Sequence, residues 1–138
     1  MQATTLKRTQ DIPLVRAEFN IFGIKNDPQA TTLIELFDYH AIEYKFFDFR
    51  DFPPTDEQLQ RFADFLDEEY PLNQRSNLYK KNEKKFKALG HKEKLDWLRL
   101  HYHVLPRPVV EDRTEKILSI GGRPQRIFED LTGIKVRH

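Results

Sequence analysis

A chain of 138 residues without a single cysteine is long enough to bury one core, yet its own thiols can supply no disulfide, nucleophile or metal ligand. Its 23 basic and 22 acidic residues leave a net charge of +1, which argues against a dedicated DNA-binding module with a strongly basic footprint. No apolar run approaches the length of a membrane span. Lys7 and Arg8 lack the apolar stretch of a secretory signal behind them, so a cytoplasmic location is expected, with a transit-like reading of residues 1–16 left open.

The first ten residues are polar, as termini usually are, and Ile12, Leu14 and Val15 could pack on the domain surface. The apolar run Phe19-Asn20-Ile21-Phe22-Gly23 predicts a buried strand. Lys25 and Asn26 then lead to Asp27-Pro28, an N-cap residue and a first-turn proline. Ala30, Leu33, Ile34 and Phe37 repeat at helical spacing, so a helix should run to about Tyr39. Glu43 to Phe49 alternates and is rich in aromatics, predicting a second strand, parallel to the first by a right-handed crossover. Pro53-Pro54 breaks the chain, and Thr55 with Gln58 forms a capping-box pattern ahead of Leu59, Phe62, Ala63 and Leu66. Residues 71–79 read as a linker. Helices are expected at residues 82–89 and 91–102, on either side of Gly90. After Pro106-Arg107-Pro108, Val109 to Glu111 and Lys116 to Ile120 predict a hairpin. Gly121-Gly122-Arg123-Pro124 turns into a last helix carrying Ile127, Phe128 and Leu131 inward, ended by Gly133.

The expected fold is therefore α/β and thioredoxin-like: a four-stranded mixed sheet with flanking helices and a helical insertion between the second strand and the C-terminal hairpin. Residues 19–133 form the domain, residues 1–18 an N-terminal extension and residues 134–138 a short basic tail.

Four segments, in order, resemble the arsenate-reductase (ArsC) family, which also contains the Spx-type regulators. They are Ile21-Phe22-Gly23-Ile24-Lys25-Asn26, Ile42-Glu43-Tyr44, Leu72-Asn73-Gln74-Arg75-Ser76 and Arg107-Pro108-Val109-Val110. The resemblance covers about Phe19 to Leu131. It implies that the family's cysteine nucleophile falls on Asp27, directly after Asn26. The arginine of the Asn-x-Arg segment falls on Arg75. The arginine of the Arg-Pro segment falls on Arg107, and its cis proline on Pro108. A third oxyanion arginine resembles Arg123.

Asp27 then has two readings, a helix cap or an anion standing where the family has its thiolate, facing Arg107 or Arg75. Neither supports reductase chemistry, because disulfide exchange needs thiolate attack. Arg75, Arg107 and Arg123 either still bind an oxyanion or pair with Asp27 and other carboxylates. His101 and His103 are two apart, the wrong spacing for one helix face, and no metal or cofactor is expected. Lys80, Lys81, Lys84, Lys85, Lys87, Lys92 and Lys94 make a basic stretch and residues 56–69 an acidic one; both read as solvated faces or as a partner patch, with no motif for specific DNA recognition. The expected function is non-catalytic protein interaction, with RNA polymerase a partner by analogy to the Spx branch. The alternatives are an oxyanion- or thiol-substrate-binding remnant on the three arginines, or a reductase whose redox cysteine lies on a partner.

Overall fold

The computed structural model describes residues 18–136; the N-terminal packing expected of Ile12, Leu14 and Val15 lies outside the described residues. In chain order the elements are β1 (Phe19–Gly23), α1 (Pro28–Tyr39), β2 (Tyr44–Asp48), α2 (Asp56–Leu66), α3 (Asn77–Lys87), α4 (His91–Leu100), a 3-10 turn (Tyr102–Val104), β3 (Val109–Asp112), β4 (Ile117–Ile120) and α5 (Pro124–Thr132). The sheet order is β2-β1-β3-β4. β1 runs parallel to β2 and antiparallel to β3, and β3 pairs antiparallel with β4. This is the mixed four-stranded sheet expected from the sequence.

Strand alternation sends successive side chains to opposite faces, and it divides the core in two. Ile21 and Val110 point to one face, where they meet Leu33 and Phe37 of α1 and Ile127 and Phe128 of α5. Phe22 and Val109 point to the other, onto Leu59 and Phe62 of α2, Tyr79 and Phe86 of α3, and Leu98 of α4. The helical insertion thus covers one face of the sheet. Each fully buried Leu or Phe there contributes roughly 1.5–3 kcal/mol over leaving it exposed.

Some boundaries differ from the sequence reading. The Thr55 capping box forms: Thr55 Oγ1 accepts from Gln58 N–H at 3.0 Å, and Gln58 Oε1 accepts from Thr55 N–H at 2.9 Å. The stretch expected as a linker ends early, because Ser76 caps α3 by accepting from Tyr79 N–H at 3.4 Å, and α3 starts at Asn77. The sparse apolar spacing of α3 hid that start, since only Tyr79 and Phe86 are buried. α4 stops at Leu100, where His101 leaves the helical region at φ −105° and ψ 55°. β2 spans Tyr44–Asp48, and β4 starts at Ile117 beyond a register shift at Val110/Glu111.

Candidate functional site

The site lies at the C-terminal end of β1, where chain order brings three loops together. Gly23 ends the strand. The following turn is closed by Asp27 N–H donating to Ile24 carbonyl at 3.0 Å. Asp27 takes the N-cap backbone geometry of α1, at φ −64° and ψ 135°, and its carbonyl receives Thr31 N–H at 3.0 Å. Its side chain, however, makes no capping hydrogen bond. The carboxylate instead accepts from Arg107 Nε, across 80 residues of sequence. Capping by the Asp27 side chain is thus corrected: a charged guanidinium outcompetes the neutral backbone N–H groups for the same oxygens.

Arg107 comes from the loop ahead of β3, and the Arg107–Pro108 peptide bond is cis. Its Nη1 donates to the carbonyls of His103 at 2.7 Å and Leu105 at 3.1 Å. One face of the guanidinium is therefore committed to Asp27 and another edge to the backbone of its own loop. Pro108 carbonyl accepts from Gly121 N–H at 2.8 Å, which ties the start of α5 to the same place. Gly121 and Gly122 sit at φ +71° and +102°, a left-handed pair that suits glycine.

Beside the pair opens a cleft of about 510 Å³, lined by Gln29, Leu66, Leu72, Arg75, Leu105 and Arg107 among others. Arg75 is exposed on its rim, and no ion pair to it forms among the described residues. The expectation that Arg75 pairs with a carboxylate is corrected on that ground. The turn holding it is set by Asn73, whose Oδ1 accepts from Arg75 N–H at 3.0 Å. Asn26 is exposed in the β1–α1 loop, and Arg123 is exposed at the N-cap of α5, outside the cleft lining. The structure thus groups Asp27, Arg75, Arg107 and Pro108 and leaves Arg123 apart.

Asp48 was missed by the sequence reading, which took it as one more position of the second strand. It is buried at the end of β2. Its Oδ2 accepts from Lys25 N–H at 2.9 Å and Arg50 Nη2 at 2.7 Å; its Oδ1 accepts from Arg50 N–H at 2.8 Å and Arg50 Nε at 2.9 Å. The bond from the Arg50 side chain, helped by the Arg50 and Lys25 N–H groups, holds its carboxyl far below the usual carboxylate range despite burial. Asp48 thereby clamps Lys25, two residues before Asp27. The Asp-x-Arg spacing in Asp48-Phe49-Arg50 was the available signal.

Among the described residues the histidines do not converge. His91 bonds Tyr70 OH at 2.7 Å, His101 bonds Trp97 carbonyl at 3.0 Å, and His40 stacks on Phe128. Among the described residues no helix is long and apolar enough to cross a membrane.

The parallel β1–α1–β2 unit, the antiparallel β3–β4 hairpin and the cis proline facing the β1–α1 loop can be set beside solved structures. The fold is that of arsenate-reductase-related proteins. The solution structure of an ArsC-related protein from Brucella melitensis aligns with a TM-score of 0.61 at 24% identity, over 88% of this chain and 99% of that one. Arsenate reductase from Vibrio cholerae aligns with a TM-score of 0.63 at 18% identity, over 83% and 98%. No protein-family model and no curated protein sequence matches the chain. In this fold the described site occupies the loop ends above β1, with an aspartate and an arginine bonded to each other at its centre.

Proposed function

We propose that this chain is a non-catalytic protein of the arsenate-reductase fold that acts by binding another protein, using the face around its closed Asp27–Arg107 site. The observation that carries this reading is the ion pair itself. A resemblance to the reductases puts Asp27 where they have a thiolate, and a carboxylate cannot form an arsenic–sulfur bond or a mixed disulfide. A fixed carboxylate on Arg107 also repels a mobile oxyanion and competes with it for the same donors. The loop is thereby held shut without a ligand, which suits a binding surface better than a reaction centre. The Spx branch supplies the analogy for a transcription-related partner such as RNA polymerase.

Two measurements test it. Arsenate and disulfide reductase activity should remain at background; turnover that follows the protein through purification from thiol proteins defeats the reading. Purified RNA polymerase should bind the natural protein and bind the Arg75→Glu variant at least tenfold more weakly; no binding to either removes that partner.

A second reading is favoured by Arg75, exposed at the cleft without an ion pair among the described residues. It is an oxyanion-binding remnant. Calorimetry with sulfate at low ionic strength separates the two. The closed site predicts no binding by the natural protein and recovered binding by Asp27→Ala. Tight binding by the natural protein favours the remnant.

A further inference from the structure

We propose that the solvent face of α3 binds the phosphodiester backbone of duplex nucleic acid without reading its sequence. This site is separate from the Asp27–Arg107 cleft and does not rest on the reading of that cleft.

Lys80, Lys81, Lys84 and Lys85 are all exposed, and none of them has an ion-pair partner among the described residues. The neighbouring lysines are engaged differently. Lys87 pairs with Glu83 at 2.7 Å, Lys92 with Asp56 at 3.1 Å, and Lys94 lies 5.1 Å from the centre of the Tyr70 ring. At about 100° per residue, Lys80, Lys84, Lys81 and Lys85 spread over roughly 140° of the helix surface. Asn77 and Ala88 fall within that arc, and both are exposed. No carboxylate falls within it; Glu83 projects beside it. Lys80 with Lys84, and Lys81 with Lys85, are like charges at the repelling i,i+4 spacing.

The helix dipole does not account for this arrangement. It favours the cations of the last turn, Lys84 and Lys85. Lys80 and Lys81 stand near the N-terminal half, where the dipole offers them nothing. The near-zero net charge of the chain conceals the patch, because the acidic residues balancing it lie in the stretch 56–69.

The composition of the arc selects the partner. It has no aromatic ring on which an unpaired base could stack, which disfavours single strands. It has no large apolar side chain to enter a lipid surface, which disfavours membranes. Protein interfaces are enriched in aromatic residues and arginine and depleted in lysine. Lysines alone, as flexible point charges, suit a regular row of phosphates. Without a base-reading side chain, affinity should be independent of sequence.

The test is fluorescence anisotropy with a labelled 20-base-pair DNA duplex of arbitrary sequence, titrated between low and physiological salt. Four neutralised phosphates predict a log–log salt slope of about −3.6, equal for unrelated duplexes. Lys80→Glu with Lys84→Glu should weaken binding at least tenfold at low salt. The neutral pair Lys80→Gln with Lys84→Gln should weaken it less, with a shallower slope. Lys45→Glu with Lys116→Glu, the same net change at exposed positions elsewhere, should leave affinity within twofold. Unchanged circular dichroism and melting certify the fold of each variant. The proposal is overturned if no duplex binds at low salt, if both charge reversals weaken binding equally, or if phosphatidylserine vesicles or polyglutamate bind α3 more tightly than the duplex.

Discussion

Asp48 and Glu111 are both buried carboxylates of the same sheet, at 7% and 3% exposure, and their surroundings push them in opposite directions. Asp48 stands at the open end of β2, where loop N–H groups and Arg50 can reach both its oxygens. Glu111 stands within β3, where backbone N–H groups are engaged in the ladder. Its Oε1 accepts from Asn20 Nδ2 at 3.0 Å, while its Oε2 finds no hydrogen-bond partner among the described residues. Burial raises the Glu111 pKa first of all; the Asn20 bond and Arg61 oppose that, while Glu115 and Asp112 add to it. Burial alone therefore does not decide what a carboxylate does. At a strand end it becomes a clamp, and between paired strands it becomes a liability. Asp27 lies between the two cases, half-buried, with Arg107 as its charged side-chain donor.

The comparison breaks most visibly at Asp48. Asp48→Ala leaves the Lys25 and Arg50 N–H groups without their acceptor, and should cost about 3 kcal/mol, seen as a lower urea midpoint at unchanged slope. A loss below about 1 kcal/mol would mean that the β1–α1 loop is held by other bonds. The pH dependence has a definite sign. A depressed folded pKa gives stability that is complete above the unfolded value of about 3.9 and is lost as pH falls below it. Asp48→Asn should therefore flatten the acid limb of the stability curve below about pH 4.

Asp27→Ala comes next, at about 2 kcal/mol. A side-chain cap would cost about 1 kcal/mol, but Asp27 makes no such bond. The cost here is that of leaving Arg107 without its carboxylate, moderated because Nη1 keeps the His103 and Leu105 carbonyls. Thermal unfolding of Asp27→Ala and Asp27→Asn separates the contributions: Asn keeps a neutral acceptor oxygen for Arg107 but not the charge, so it should recover only part of the loss.

These side chains also show what the sequence made legible. The order of elements could be read, because Ile21/Phe22 and Val109/Val110 alternate and Leu59, Phe62 and Ala63 repeat at helical spacing. The loops at the head of β1 were placed by short motifs in order, which brought Asp27, Arg107 and Pro108 into view together. What could not be read was partner choice. Whether the Asp27 carboxylate turns to its own helix or to a guanidinium 80 residues away depends on the position of the loop before β3, which no local pattern encodes. Asp48 was hidden for a related reason: an aspartate after Phe47 reads as one more alternating position until the Lys25 N–H is seen beside it. Glu111 likewise read only as the end of a hairpin strand, and its burial emerges once β3 is paired on both sides.

Glu111→Gln should change stability by about 1 kcal/mol, increasingly in favour of the variant as pH rises above the unfolded value of about 4.3. An acid whose folded pKa is raised keeps its proton in the folded chain while the unfolded chain loses it. Stability then falls as pH rises above the unfolded value of about 4.3 and levels off beyond the folded value. Glutamine carries no such charge, so urea midpoints of the variant should be flat across that window while those of the natural protein decline. Parallel curves would show that Glu111 is solvated in the folded state.

Arg61 gives the smallest effect and the sharpest test of the contrast. Its Nε is buried without a hydrogen-bond partner among the described residues. Its Nη2 lies 3.6 Å from Glu115 Oε1, with side-chain exposures of 35% and 67%, a partly exposed pair worth less than about 1 kcal/mol. Arg61→Met removes a poorly satisfied polar group, which helps, and a cation that lowers the Glu111 pKa, which hurts. With Glu111 protonated, below its unfolded value of about 4.3, the second effect vanishes and the variant should be at least as stable as the natural protein. As pH rises, Glu111 must ionise without Arg61 facing it, so its folded pKa climbs further and the variant loses more stability than the natural protein over the same window. Adding Glu111→Gln should erase that difference, because the charge that Arg61 screens is gone. If Arg61→Met is equally costly at both ends of the pH range, with or without Glu111→Gln, then Arg61 acts by packing on α2, and Glu111 is held in the sheet by Asn20 alone.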